Sequence, residues 1–123
     1  MQHVSSRLFG LFRELATVPL LGKSTVAVDR YVRQYLLRHG MMSATVSYRG
    51  YPAHCSVSVN DVAVHGVPDE RVIGRGDLFT LDVAARAGGF VTDTAWTYLT
   101  PGASHRDVEL VHRGWRAFRA LLK

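Results

Sequence analysis

Apolar residues recur first at helical spacing. Leu8, Leu11, Phe12 and Leu15 fall at i, i+3, i+4 and i+7, which predicts a short amphipathic packing helix ending before Pro19. After Leu20-Leu21-Gly22, a cap at Ser24 or Thr25 opens a second helix. Its apolar face is Val28, Tyr31, Val32, Tyr35 and Leu36, and His39-Gly40 stands at its end. From Thr45 the period changes to two, which predicts short strands near 44–48, 56–59 and 62–65, separated by Arg49-Gly50-Tyr51-Pro52 and Asn60-Asp61. Beyond Gly66-Val67-Pro68 come two longer strands, 78–85 and 90–99, joined as a hairpin by the glycine-rich Arg86-Ala87-Gly88-Gly89. Pro101-Gly102 breaks the sheet and Ser104 with Asp107 forms a capping signal. Val108, Leu110, Val111, Trp115, Phe118, Leu121 and Leu122 then supply a final helix. Helices before and after the strands predict an α+β arrangement, an antiparallel sheet with helices covering one face.

Composition narrows the class. At 123 residues, 47% hydrophobic and 20% charged, the chain suits one globular domain, residues 1–123, with no internal repeat or low-complexity tract. No apolar run approaches the roughly 20 residues a membrane helix needs. Arg13, Glu14 and Pro19 interrupt the most apolar N-terminal stretch, which argues against a signal peptide as well and makes the cytoplasm the expected compartment. The single cysteine, Cys55, cannot close an internal disulfide and fits a reducing compartment. The net charge of +5 lies wholly in residues 1–60, yet Arg7, Arg13, Lys23, Arg30, Arg33 and Arg38 are spread singly. Without an arginine-rich run or an aromatic-basic module, the pattern argues against nucleic-acid binding. Gly22-Lys23-Ser24-Thr25 looks like the end of a phosphate-binding loop, but the first glycine of such a loop would fall at Thr17 and no strand precedes it.

The hairpin carries the chemistry. It sets two carboxylates, Asp82 and Asp93, in strands otherwise rich in Val, Leu, Phe, Thr and Trp. A two-residue loop at Ala87-Gly88 would place Asp82 directly opposite Asp93, and any even-length loop keeps both on one face. Like charges so close need a cation or a shared proton, and the arrangement suits one or two hard divalent metals. The plainer alternative puts one aspartate on a solvated face and the other in a local turn at Thr92-Asp93-Thr94. His65, before Gly66-Val67-Pro68, stands open between metal ligand, substrate contact and hydrogen-bonded loop residue. His54-Cys55 is set aside as a nucleophile pair, because adjacent strand residues point to opposite faces.

Four segments in order carry a resemblance: Tyr48-Arg49-Gly50-Tyr51-Pro52; Ser58-Val59-Asn60-Asp61-Val62-Ala63-Val64-His65-Gly66-Val67-Pro68; Gly76-Asp77-Leu78-Phe79-Thr80-Leu81-Asp82-Val83; and Gly89-Phe90-Val91-Thr92-Asp93-Thr94. Together they resemble type I methionine aminopeptidase, and the likeness extends upstream to Val28-Asp29-Arg30. It implies one half of a pita-bread fold, with about 1–22 as leading helix and linker and 23–123 as the motif-bearing lobe. It also implies a cytoplasmic metalloprotease that removes the initiator methionine from nascent polypeptides. By the same resemblance Asp82 and Asp93 are ligands of a two-metal centre (Co, Mn, Fe or Zn), with Asp93 bridging. His65 contacts the substrate near the scissile amide, and Tyr48, Tyr51, Thr45 and Ser56 line the methionine pocket. Thr45 and Ser56 stand where many relatives have cysteine.

In that family a second, pseudo-symmetric half supplies a further histidine and two glutamates as ligands, and another substrate-contacting histidine. This sequence runs to Lys123 in the helix after the first half, so the expectation is a truncated enzyme represented by its N-terminal lobe. His105, His112 and Glu109, in or beside that helix, do not replace the missing ligands. Arg113, Arg116, Arg119 and Lys123 give the helix a basic side, and its apolar stripe is expected to face the core, with a docked complementing half as the other reading. A homodimer and proximity to the ribosome are further partner expectations. The rival function is a non-catalytic binding module that keeps the half-fold for polypeptide N-termini or a protein partner.

Overall fold

The computed structural model describes residues 2–122. Helix α1 (Gln2–Leu15) buries Val4, Leu8, Leu11, Phe12 and Leu15 along one stripe and stops before Pro19, as the spacing predicts. Helix α2 (Thr25–Arg38) starts where the Ser24 hydroxyl accepts the Ala27 amide at 3.3 Å. It ends in a paired cap: the Met41 amide donates to the Leu36 carbonyl at 2.8 Å, and the Gly40 amide to the Leu37 carbonyl at 3.2 Å. The chain then turns at Gly40 and buries Met41.

Four antiparallel strands form one sheet: β1 (Met42–Ser43), β2 (Ser56–Val59), β3 (Leu78–Ala87) and β4 (Phe90–Leu99). β3 lies between β4 on one side and β1 with β2 on the other. Its residues alternate faces. Phe79, Leu81, Val83 and Ala85 are buried in the core with the apolar stripes of α1 and α2, while Thr80, Asp82 and Ala84 occupy the other face. Each large apolar side chain buried in that layer contributes about 1.5–3 kcal/mol. Asp82 is thus held on a strand whose opposite side is locked into the core, and Asp93 on the strand paired with it.

Several expectations from the sequence are corrected. The hairpin loop is Gly88-Gly89 rather than Ala87-Gly88, and Ala87 pairs with Phe90. Both glycines have positive φ, 55° and 81°, as a tight primed turn demands at its two central residues; glycine adopts that backbone freely and Ala87 would not. Consequently Asp82 faces Ala95 and Asp93 faces Ala84, so the two aspartates share a face on the diagonal instead of lying directly opposite.

The predicted strands at 44–48 and 62–65 are also not formed. The strand ends at Ser43: the Ala44 amide still donates to the Ala84 carbonyl at 2.8 Å, but the Ser43 hydroxyl accepts the amides of Thr45 and Val46 at 3.1 and 3.2 Å and takes them out of any ladder. A 3-10 turn, Tyr48–Gly50, follows. The 62–65 segment returns to β2 only at its end, where the Gly66 carbonyl accepts the Val57 amide at 2.9 Å. The left-handed His65, φ 57°, prevents continuous pairing.

Helix α3 (His105–Leu121) begins at the expected cap, with the Ser104 hydroxyl accepting the Asp107 amide at 3.1 Å. Its apolar stripe does not reach the core: none of its residues is buried, and Leu110 and Leu121 are 62% and 84% exposed. Helices α1 and α2 already cover the apolar sheet face, which leaves α3 the margin of β4. There Trp115 meets Trp96 edge-on with centroids 4.8 Å apart. Of the expected basic series, Lys123 lies outside the described residues.

Candidate functional site

The polar face of the sheet and the 3-10 turn together form a cavity of about 550 Å³, lined by Thr45, Tyr48, Arg49, Gly50, Tyr51, Pro52, Ser56 and His65. A slightly larger groove of about 600 Å³ runs between Phe9, Trp96, Leu110, Trp115 and Phe118, but no ionisable side chain lines it. Another, of about 580 Å³, lies on α3 between His112, Trp115, Arg116 and Arg119, far in sequence from the two aspartates.

Local hydrogen bonds fix the wall of the first cavity. The Tyr51 hydroxyl donates to the Gly66 carbonyl at 3.0 Å, with Ser56 Oγ and the Cys55 carbonyl each 3.2 Å away. Burial, above all, holds the Tyr51 hydroxyl above the usual tyrosine range, so it acts as a neutral donor. Thr45 is similarly committed, its hydroxyl donating to the His54 carbonyl at 2.9 Å. Residues Thr45, Tyr48, Tyr51, Ser56 and His65, proposed from the sequence as substrate contacts, therefore all line one cavity.

The two aspartates adjoin it. Ser56 on β2 pairs directly with Asp82 on β3, and Asp93 sits on the diagonal of the same face. Burial first, then the hydrogen bond and charge of Asp93, push the Asp82 carboxyl up to about 6, while the charge of His65 opposes the rise. Below about pH 6 a proton on Asp82 relieves the like-charge contact with Asp93. Among the described residues no group of three or more His, Cys, Asp or Glu could hold a metal ion.

The raised carboxyl has a stability consequence. Asp82 binds its proton more tightly in the folded chain than at its ordinary value of 3.8, so its contribution is complete below pH 3.8 and is lost as pH rises through about 6. At pH 7 the ionised carboxylate destabilises the fold. Asp82→Asn is expected to raise stability at pH 7 by about 1–2 kcal/mol, allowing for partial solvation, and to change it little near pH 4. Urea unfolding at the two pH values checks this, and equal effects at both would contradict it.

Asp29 holds the bend at His54 and Cys55 that leads into Ser56. It is 8% exposed and its Oδ1 accepts the amides of His54 at 2.7 Å and Cys55 at 3.1 Å, as well as the Cys55 thiol at 3.4 Å. His54 Nδ1 lies 3.1 Å from Oδ2. Both side chains reach one carboxylate because β2 begins only at Ser56, so the strand geometry that separated His54 from Cys55 does not apply there. Cys55 is still no nucleophile: burial and the adjacent Asp29 charge push its thiol far above the ordinary range. The structural role of Asp29 was missed in the sequence, although the signal was present. An aspartate inside the buried stripe of α2 needs partners. Arg49, a cavity residue, was quoted there only within a motif.

Residues 2–123 match the sequence profile described as Metallopeptidase family M24. The chain belongs to this family. Similar proteins include methionine aminopeptidase 2 of Mycobacterium tuberculosis, 37% identical over 89 residues that cover 72% of this chain and 31% of that protein. Methionine aminopeptidase 1 of Bacillus subtilis is 33% identical over 90 residues, 73% of this chain and 36% of the relative. Among solved structures, a methionine aminopeptidase from Thermotoga maritima superposes with a TM-score of 0.85 at 31% identity, over 91% of this chain and 45% of that one. A dipeptidase from Pyrococcus horikoshii shares the fold, with a TM-score of 0.72 at 23% identity. The M24 chain thus spans about a third of the length of these two bacterial relatives. Its α+β architecture is that of the pita-bread aminopeptidases and prolidases. No described helix of this M24 chain is long and apolar enough to cross a membrane.

Proposed function

We propose that the chain is one lobe, residues 1–123, of a metal-dependent aminopeptidase that removes N-terminal methionine from nascent polypeptides in the cytoplasm. The observation that supports this most is the placement of two same-face carboxylates beside a cavity lined by Tyr48, Tyr51, Thr45, Ser56 and His65. Aromatic rings and a polarisable thioether attract each other, so Tyr48 and Tyr51 suit a methionine side chain. The committed hydroxyls of Thr45 and Tyr51 orient that wall rather than competing for solvent.

Asp82 and Asp93 offer hard oxygen donors for a divalent ion, Co, Mn, Fe or Zn, and fit as part of a donor set. When bound, two such ions would polarise the scissile carbonyl and activate water. The described residues supply two carboxylates of the about six oxygen donors a hard cation takes, so the remaining donors would come from a complementing half. His65, at the cavity edge and close enough for its charge to act on Asp82, would stabilise the oxygen of the tetrahedral intermediate.

Titrating the chain with Mn²⁺ while recording amide spectra tests this reading. Two carboxylates alone should hold the ion with a Kd on the order of 1 mM, broadening resonances around Asp82 and Asp93. Asp93→Ala should abolish that broadening, together with any Mn²⁺-dependent release of methionine from a Met-Ala-Ser peptide. If Mn²⁺ or Co²⁺ neither perturbs those positions nor supports release at several times about 1 mM, the chain is a binding module and not part of a metalloenzyme.

A further inference from the structure

Arg49 stands out among the cavity residues because nothing in the fold uses it. Its guanidinium has no hydrogen-bond or ion-pair partner among the described residues, where the ion pairs are Arg38–Glu14, His54–Asp29 and Arg113–Glu109. It lies over the ring of Tyr48, another cavity residue, 5.5 Å from the centroid. The backbone beneath it is held in a conformation an arginine does not prefer: φ is 51° at Arg49 and 66° at Ser47. Such a backbone persists only where neighbouring contacts impose it. Here the Ser47 amide donates to the Tyr51 carbonyl at 2.8 Å, the Tyr48 amide to the Thr45 carbonyl at 2.9 Å, and the Tyr51 amide to the Tyr48 carbonyl at 3.0 Å. Tyr51 is in turn tied to Gly66. An exposed cation with five unused donors is therefore presented from a fixed turn at the edge of the cavity.

Charge in and around the cavity is polarised. Of its lining residues only Arg49 carries a permanent charge, and none is acidic. The carboxylates Asp82 and Asp93 adjoin it on the Ser56 side. A short peptide with its ammonium toward the aspartates and its first side chain between the tyrosines would run its next residues past the turn. The volume of about 550 Å³ is that of a small-ligand site and holds more than one side chain.

We propose that Arg49 is a specificity-determining residue that selects peptides with a carboxylate one or two residues after the N-terminal side chain. This deepens the peptide-pocket reading above and rests on it. Arg49 pairs with an acidic side chain in that segment, or with the terminal carboxylate of a di- or tripeptide, and disfavours lysine there by like-charge repulsion.

The test measures binding of three C-terminally amidated peptides, Met-Ala-Asp, Met-Ala-Ala and Met-Ala-Lys, to the whole chain by amide chemical-shift titration. Met-Ala-Asp amide is expected to bind roughly two- to fivefold more tightly than Met-Ala-Ala amide, with Met-Ala-Lys amide weakest. The ratio should fall toward one at about 0.5 M salt. Arg49→Gln should bring the three affinities together, while Arg49→Lys should keep part of the preference, a rescue that a purely structural role would not produce. If the peptides perturb Tyr48, Tyr51 and Ser56 without charge preference, or the preference survives Arg49→Gln, the selectivity assignment is wrong and the pocket reading stands. If none of the peptides perturbs those residues, both fall.

Discussion

Gly66→Ala is expected to destabilise the chain by about 2–4 kcal/mol, read as a drop in the urea unfolding midpoint. A Cβ at this position would lie 2.9 Å from both the Ser58 Cα and the Val57 carbonyl carbon, closer still to the Val57 carbonyl oxygen, and so would meet backbone on every near side. Backbone cannot rotate away as a side-chain tip does, so relief requires the loop to leave β2. That would break the bonds that seat it: Val57 amide to Gly66 carbonyl at 2.9 Å, Gly66 amide to Ser58 hydroxyl at 3.1 Å and Tyr51 hydroxyl to Gly66 carbonyl at 3.0 Å. His65 is the neighbouring residue and Tyr51 is tied to the same carbonyl, so the cavity should open along with the loop. The amide signals of Tyr51, Ser56 and His65 are expected to shift together. A variant of unchanged stability with those signals in place would show that the loop accommodates a methyl group and that its close approach is unimportant.

Removing the Asp29 carboxylate is expected to cost about as much by a different route. Asp29→Ala should destabilise by about 3–4 kcal/mol, because the His54 and Cys55 amides lose their acceptor inside the fold. Asp29→Asn keeps an oxygen where Oδ1 accepts both amides, and its NH₂ group can donate to His54 Nδ1, so its cost should be nearer 1 kcal/mol. The contrast between the variants is the decisive quantity in chemical denaturation. Equal losses would mean that negative charge, rather than the acceptor, holds the 54–55 bend. Since Ser56 follows directly and faces Asp82, the alanine variant should also disturb the register that brings the cavity against the carboxylates.

The same contacts explain how much was legible beforehand. Helices α1 and α2 were readable because each buries a continuous stripe and ends on local chemistry: Pro19 after the first, Ser24 and Gly40 around the second. The hairpin was readable to within one residue. That residue mattered, because moving the loop from Ala87-Gly88 to Gly88-Gly89 changed the partner of Asp82 from Asp93 to Ala95. The strands expected at 44–48 and 62–65 had the correct alternation but no available edge. Ser43 captures the next amides in the first case, and the backbone turns at His65 in the second. Candidate residues Thr45, Tyr48, Tyr51, Ser56 and His65 were named from motifs, and their convergence on one cavity depends on bonds between loops up to 15 residues apart, such as Tyr51 to Gly66.

Alone, the chain of residues specified what depends on near neighbours: helical and strand periods, caps, the sharp glycine turn, and the motifs that mark an M24 lobe. Tertiary structure decided which exposed groups meet. It turned Asp29 from one helix position into the acceptor for a distant bend, and it set Asp82 half-buried on the diagonal from Asp93, where burial first and then Asp93 push its carboxyl up to about 6. It also left the apolar side of α3 uncovered among the described residues. The reason is common to all three. Period and capping are satisfied within a few residues, whereas burial, register and the pairing of charges depend on which surface arrives opposite, and that is settled only when the sheet and helices pack together.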